Sequence, residues 1–251
     1  MRTYARNAGS ELLCYEYYKW IMYWLFVIEY ATFNSQATYN AALTSDGYHQ
    51  GGLGAGISNM SNWDKYNAYC PITPCGYGNS LGNFTGIKEI PTLAYTGTDS
   101  ANYTRPSMYI ARYRGFENPF GDIWTNLEGV VLKRSVANAS SIVYTTTESA
   151  NFDDLLTNKL QAGTEIASDG YTTKFDLGSN AEIIPSAVGG NESTYKCDYH
   201  WCNADSIESR TLLVGGDASA GTTDAGLGGF DSHNSVSVSY TDVGFITMNL
   251  I

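Results

Sequence analysis

The chain has 251 residues, of which 43% are hydrophobic, and this is enough for a sizeable core. Its formal charge is -11, with 14 Lys and Arg against 25 Asp and Glu. Binding to the phosphate backbone of nucleic acids requires an excess of positive charge, so nucleic acid is excluded as an expected partner.

The composition combines few charged residues with many aromatic ones. Charged residues make up 16% of the chain, which contains 20 Tyr and 26 Gly. A surface of neutral polar and aromatic groups favours recognition of another molecule. After Arg210 the sequence has no Lys, Arg or Glu, so the acidic residues there are all Asp and the end of the chain is anionic.

The first predicted element is an amphipathic helix that begins near Ser10, a candidate N-cap. Apolar residues follow at three- and four-residue spacings, at Leu13, Tyr17, Trp20, Ile21 and Trp24. From Phe26 onward, β-branched and aromatic residues are equally typical of a strand. The apolar stretch Trp20–Tyr30 is shorter than the roughly 20 residues that cross a bilayer, so we expect it in the core and expect no membrane insertion. The N-terminus is not typical of a signal peptide, and Met1 is also compatible with an internal position of a longer protein.

The rest of the chain predicts loops and short strands. Residues 49–86 are rich in Gly and Asn, which indicates a long irregular loop. Strands are predicted at 107–116, 129–136, 140–147, 211–216 and 235–240, and a short helix at 151–161. No internal repeat is visible, so we expect a single domain over 1–251. Its parts are a helix and strand region at 1–48, a loop region at 49–110, a central part at 111–209 and the C-terminal segment at 210–251.

The sequence does not decide whether the five cysteines are free thiols, disulfides or metal ligands. Cys70 and Cys75 form one C-x4-C pair, Cys197 and Cys202 form another, and Cys14 stands alone. The pairs are compatible with two disulfides or with a four-cysteine zinc site, although their spacing is wider than that of common zinc knuckles. Plain buried thiols are the interpretation that we favour.

Motifs for catalysis or metal binding are incomplete. Residues 78–82 fit G-x-S-x-G, but their neighbours do not predict the strand and helix of a nucleophile elbow. Asp153 and Asp154 are adjacent, so they would point to different sides of a helix. The three histidines lack metal-ligand spacing, and the Gly/Asp run at 215–231 does not keep the register of a calcium-binding repeat. We therefore predict no enzymatic activity, no cofactor and no bound metal, with calcium dependence left open.

Two separated motifs share their pattern with one fold family. Residues 115–129 contain Phe-Gly-Asp-Ile-Trp, and residues 209–245 contain matching positions at Arg210, Leu212, Gly215, Gly216, Gly244 and Phe245. Both motifs resemble the formylglycine-generating-enzyme branch of the C-type lectin fold, which implies an α+β domain with short strands, one or two helices and long ordered loops. Ile246 replaces a common Arg, Asp122 and Thr125 also depart from the pattern, and no pair of catalytic cysteines follows Cys202. Formylglycine chemistry is therefore not implied.

The sequence "YKCDYHWCN" and the aromatic N-terminus resemble proteins of this fold from gut phages and Bacteroides. Several of these are variable proteins of diversity-generating retroelements, whose last part is rewritten by adenine-directed mutagenesis. The resemblance implies a receptor-binding domain of a phage tail tip or fibre, located in the virion. Its partners would be a bacterial cell-surface protein or glycan and other virion proteins, and a homo-oligomer is compatible with it. A bacterial surface adhesin of the same fold is the alternative, followed by a formylglycine-generating enzyme.

The genetic code offers a test of the diversification hypothesis. Adenine mutagenesis of AAC or AAT codons never produces Lys, Glu, Gln, Trp or Met, and none of these occurs between Thr211 and Thr247. The same absence follows from a biased composition, so the observation favours the hypothesis without deciding it.

The resemblance implies a fixed scaffold that carries variable side chains on one exposed surface. The expected ligand-binding positions are Asp217, Ser219, Thr222, Thr223, Asp231, His233, Asn234, Ser237, Ser239, Tyr240 and Asp242. The expected scaffold positions are Leu212, Leu213, Val214, Phe230, Val236, Val238, Val243 and Phe245. Tyr, Ser and Asn make adaptable contacts at low entropic cost, as in antibody paratopes.

Overall fold

A computed structural model describes most of the chain and shows a mixed α+β protein with mostly β structure. The described residues are 2–34, 77–90, 93–96, 102–105, 108–117, 124–191, 193–196, 198–216, 226–237, 240 and 243–248.

The N-terminal helix begins later than the sequence predicts. A short helix α1 (Arg2–Asn7) and strand β1 (Glu11–Leu12) precede a continuous helix of α2 (Tyr15–Tyr18), a π-helical stretch (Lys19–Trp24) and α3 (Leu25–Tyr30). Ser10 is not its N-cap, because β1 pairs with β18 (Thr247–Met248) and keeps this part of the chain extended. The residues after Phe26 are helical, which decides between the two predicted alternatives. Ala31 ends the helix in a left-handed conformation with φ 56.

The long helix supplies aromatic side chains to the core. Tyr15, Tyr18, Met22, Tyr23 and Phe26 are buried and pack with residues of the strands, so part of the apolar stretch lies in the core. Tyr17 and Trp20, which the sequence pattern places on the apolar face, are instead 40% and 46% exposed. None of the helices in the described ranges is both long and apolar enough to cross a membrane.

Short strands account for most of the regular structure. After β1 they are β2 (Gly86–Ile90), β3 (Leu93–Thr96), β4 (Asn102–Arg105), β5 (Met108–Tyr113), β6 (Phe116–Glu117), β7 (Trp124–Asn126), β8 (Val130–Lys133), β9 (Ser141–Thr145), β10 (Leu160–Glu165), β11 (Gly170–Leu177), β12 (Ile183–Val188), β13 (Tyr199–Cys202), β14 (Ser209–Arg210), β15 (Leu213–Gly215), β16 (Gly226–Ser232), β17 (Val243–Gly244) and β18. Strands β5, β8, β9 and β15 confirm four of the predicted strands.

Two predicted elements are wrong. The helix predicted at 151–161 is replaced by turns that lead into β10, and the Lys159 ammonium holds these turns through Asp153 at 2.7 Å and the Leu155 carbonyl at 2.7 Å. At 235–240, Ser235 forms only an isolated bridge with Arg210 and a turn follows at 236–237, while 238 and 239 lie outside the described residues.

The largest sheet has seven strands in the order β12-β11-β13-β16-β15-β7-β17. A second sheet has the order β10-β9-β8-β14. Strand β16 lies in the middle of the larger sheet, parallel to β13 and antiparallel to β15. The C-terminal segment therefore contributes central and edge strands of the sheet that carries the site described next.

Candidate functional site

The two motifs that are far apart in sequence form neighbouring strands. Strand β7 belongs to the first motif, and it pairs with β15 and β17 of the second. Val214 is in register with Thr125, and Val243 is in register with Trp124. Phe120 to Ile123 lie outside the described residues. The described parts of both motifs thus make one continuous part of the seven-stranded sheet.

Most of the expected scaffold positions are buried. Leu212, Leu213, Val214 and Phe230 are at most 1% exposed, and Val236, Val243 and Phe245 are half-buried. Val238 lies outside the described residues. Leu212, Leu213, Val214 and Phe230 therefore anchor the C-terminal segment in the protein, as the sequence predicts for these four positions.

The expected ligand-binding positions differ in exposure. His233 and Ser237 are exposed, Tyr240 is 63% exposed, and Asn234 is half-buried. Asp231 is only 6% exposed, so its side chain is not on the open surface where we expected it. The others, namely Asp217, Ser219, Thr222, Thr223, Ser239 and Asp242, lie outside the described residues.

His233 and Ser237 lie on a turn, here called the 232–237 turn, that is hydrogen-bonded to β14 and to Thr211. The Arg210 guanidinium donates to the His233 carbonyl at 2.5 Å, and the Thr211 amide donates to the Asn234 carbonyl at 3.1 Å. The Val236 amide donates to the Ser209 carbonyl at 3.4 Å. These bonds fix the backbone of the turn, which is the property that a rigid binding surface requires.

A row of aromatic rings lies beside Asp231 on the same face of the sheet. Tyr199 and Trp201 alternate along β13, and their ring centroids are 4.5 Å apart. The ring centroid of Tyr171 lies 5.0 Å from that of Tyr199 and continues the row, and the ring centroids of Trp124 and Trp201 are 5.2 Å apart. Trp201 is in register with Asp231, which places both side chains on one face. The three rings of Tyr171, Tyr199 and Trp201 are half-buried and offer apolar area next to the C-terminal segment.

Sequence reasoning missed this aromatic row. The alternation of Tyr199 and Trp201 in "CDYHWC" is the signal that could have revealed it, because period-two aromatics indicate one face of a strand. The contacts with Tyr171 and Trp124 depend on the strand order, which the sequence does not specify.

The opposite face of the same strands carries a buried polar cluster, which the sequence also did not predict. The Ser232 hydroxyl donates to Oε1 of Glu165, and Nε2 of His200 lies 2.9 Å from the same oxygen. Nη2 of Arg134 lies 3.9 Å from Oε2 of Glu165. All four side chains are at most 1% exposed. The carboxylate is central here, whereas His is central in a catalytic triad, so this cluster does not activate Ser232 as a nucleophile.

Asp231 has an altered acidity because it is buried. Burial raises its pKa to about 7, and the nearby carboxylates of Glu165 and Asp169 act in the same direction. The His233 amide and the charge of His200 oppose this rise. Protonation of Asp231 therefore changes near neutral pH.

The described cysteines are thiols. Cys14 and Cys202 are free and buried, and burial raises the pKa of Cys202 to about 12. Both are therefore buried thiols, as we favoured, while Cys70, Cys75 and Cys197 lie outside the described residues. Across the ranges that the structure describes, no group of three or more His, Cys, Asp or Glu side chains is arranged to hold a metal ion.

Comparisons of the chain with models of known protein families, with characterised proteins and with solved structures give no match.

Proposed function

We propose that this protein is a ligand-binding protein with a C-type lectin fold and a diversified C-terminal surface, which acts as a receptor-binding domain of a phage tail tip or fibre. The observation that carries the proposal is the pairing of β7 with β15 and β17, which brings the two family-like motifs together. Thr125 and Val214 are far apart in sequence but in register in this sheet, so the pairing is the arrangement that two motifs of one fold would require.

The exposure pattern of the C-terminal segment supports a binding role. Its described apolar positions are buried or half-buried, whereas His233 and Ser237 are exposed on the 232–237 turn, which is bonded to residues 209–211. Tyr240, beyond the turn, is exposed as well. Binding residues are commonly carried by loops on a rigid scaffold. Because the backbone is already fixed, binding a ligand costs little additional ordering entropy.

The chemistry of the surface fits recognition of a bacterial cell-surface protein or glycan. Tyr240, His233 and Asn234 combine an aromatic ring with hydrogen-bonding groups, and the nearby rings of Tyr199 and Trp201 add apolar area. Several copies of this surface on a virion would gain affinity through multivalency, so weak binding by each copy would be sufficient.

The experiment that tests this function is binding of the fluorescently labelled chain to a panel of gut bacterial isolates, measured by flow cytometry. The variants are His233→Ala and Tyr240→Ala, and the matched control is Tyr195→Ala, whose side chain is 81% exposed outside the C-terminal segment. We expect the chain to bind a subset of isolates, and the two variants but not the control to lose this binding. Binding that is unchanged in both variants, or no binding to any isolate, would overturn the proposal.

A further inference from the structure

The expected binding positions include one residue whose side chain points into the protein. Asp231 lies on β16, between Phe230 and Ser232, and it is 6% exposed. A buried carboxylate is costly unless hydrogen-bond donors satisfy it. The groups that donate hydrogen bonds to the Asp231 carboxylate therefore indicate what this residue does.

Both carboxylate oxygens of Asp231 are directed at the 232–237 turn. Oδ1 accepts a hydrogen bond from the His233 backbone amide at 2.6 Å, and Oδ2 accepts one from the Asn234 side-chain amide at 3.5 Å. The first bond has the short length that is typical of a charge-assisted bond to a backbone amide. The Asp231 carboxylate thus holds His233 by its backbone and Asn234 by its side chain.

The neighbouring residue fixes the same turn from the other face of the sheet. The Ser232 hydroxyl donates to Glu165, and Glu165 also bonds His200, whose other ring nitrogen lies 2.8 Å from the Ser168 carbonyl oxygen. Because successive residues of a strand point to opposite faces, Asp231 and Ser232 secure the chain on both sides just before it turns. Arg210 completes the arrangement by donating to the His233 carbonyl.

We propose that Asp231 is a positioning residue of the binding surface, whose carboxylate fixes the backbone that presents His233 and Asn234, and that it is not itself a ligand contact. This inference rests on the proposed function for the surface that it positions. It divides the C-terminal segment into a fixed base, at Asp231 and Ser232, and a displayed part that begins at His233.

The test measures the His233 amide without any ligand, by amide hydrogen exchange followed with NMR in the whole chain. Asp231→Ala removes the acceptor, Asp231→Asn keeps an acceptor oxygen, and Ser237→Ala is the matched control on the same turn. Loss of one hydrogen bond predicts that exchange at His233 is faster by about tenfold in Asp231→Ala. We expect Asp231→Asn to restore most of the protection and the control to exchange like the wild type.

A second readout keeps the test decisive if Asp231→Ala does not fold. In a His233→Gln background, which removes the imidazole that titrates in the same pH range, the amide proton shift of residue 233 should change with pH as the Asp231 carboxylate titrates. This change should be absent when Asp231→Asn is added. Equal exchange at His233 in the wild type and Asp231→Ala, or a pH-dependent shift that persists when Asp231→Asn is added to His233→Gln, would overturn the inference. Neither readout involves a receptor. The positioning role of Asp231 and the proposed binding function can therefore fail independently, and the NMR and cell-binding results show which of the two has failed.

Discussion

Nε2 of His200 lies 2.9 Å from Oε1 of Glu165, and both side chains are completely buried. Nδ1 of the same ring lies 2.8 Å from the Ser168 carbonyl oxygen, which can only accept. Nδ1 therefore donates to this carbonyl, and Nε2 faces the Glu165 carboxyl group. This pair joins β10 to β13 beneath the 232–237 turn.

The pair predicts a large loss of stability when Glu165 is truncated. Glu165→Ala leaves His200 and Ser232 without their shared acceptor and the buried Arg134 without the nearby carboxylate charge, and we expect the free energy of unfolding to fall by about 3 to 5 kcal/mol. Urea denaturation followed by tryptophan fluorescence measures this. The control is Glu148→Gln, an exposed position, which should change stability by about 0.5 kcal/mol or less. A loss below about 1 kcal/mol in Glu165→Ala would mean that the cluster is not intact in solution.

Asp231 predicts a pH dependence of stability. Its pKa rises from 3.8 to about 7 in the folded protein, because burial and the carboxylates of Glu165 and Asp169 outweigh His200 and the His233 amide. Between pH 4 and pH 7 the folded protein then binds more protons at this group than the unfolded chain does. Its contribution to stability therefore falls as pH rises through this range, by up to about 4 kcal/mol, and levels off above pH 7.

The measurement for this prediction is the urea midpoint from pH 4.5 to pH 8 in the wild type and in Asp231→Asn. We expect the difference between the two proteins to shift in favour of the variant as pH rises. Parallel curves for the two proteins across the range would contradict the raised pKa.

Gly226, a buried residue of strand β16, lies where the packing leaves no room for a side chain. A Cβ at Gly226 would lie 2.3 Å from Oδ2 of Asp198, a buried carboxylate that also accepts the Gly228 amide at 2.7 Å. Gly226→Ala should therefore lower the free energy of unfolding by about 1 to 3 kcal/mol. Gly86→Ala is the control, since its Cβ would meet only Leu81 at an ordinary 3.7 Å. Equal midpoints for the two variants in thermal unfolding would argue against this packing.

The buried thiols predict slow alkylation. Burial raises the pKa of Cys202 to about 12 and also raises the pKa of Cys14, so little thiolate exists at pH 8 and the reagent has little access. Iodoacetamide labelling followed by peptide mass spectrometry should modify these two cysteines only after unfolding in urea. Rapid modification of either one in the native protein would show that its surroundings open readily.

The fold was predictable where local patterns determine the structure. Alternating or continuous apolar residues located β5, β8, β9 and β15, and the apolar periodicity of the N-terminus located the long helix. The start of that helix was not predictable, because β1 pairs with β18 and this contact joins the two ends of the chain. The prediction of a helix at 151–161 is wrong because the Lys159 ammonium donates to Asp153 and to the Leu155 carbonyl, and these local bonds stabilise turns instead.

The candidate site was predictable only in part. Buried scaffold positions such as Val214 and Phe230 follow from their apolar character, and the exposure of His233 and Tyr240 follows from their place among polar residues. The burial of Asp231 does not follow, because its donors come from the turn that it positions. The aromatic row and the Glu165 cluster depend on strand order, which brings together residues from β10, β11, β13 and β16.

The measurement that tests the central claim most directly is the DNA sequence around the gene, compared with the codons of the C-terminal segment. A diversified surface predicts a near-copy of these codons beside a reverse transcriptase, with differences at adenines. The differences should fall on displayed positions such as His233, Asn234 and Tyr240, while the codons of Val214, Phe230 and Asp231 should be identical in both copies. The absence of a near-copy, or differences spread equally over buried positions, would contradict the claim that this segment is a diversified binding surface.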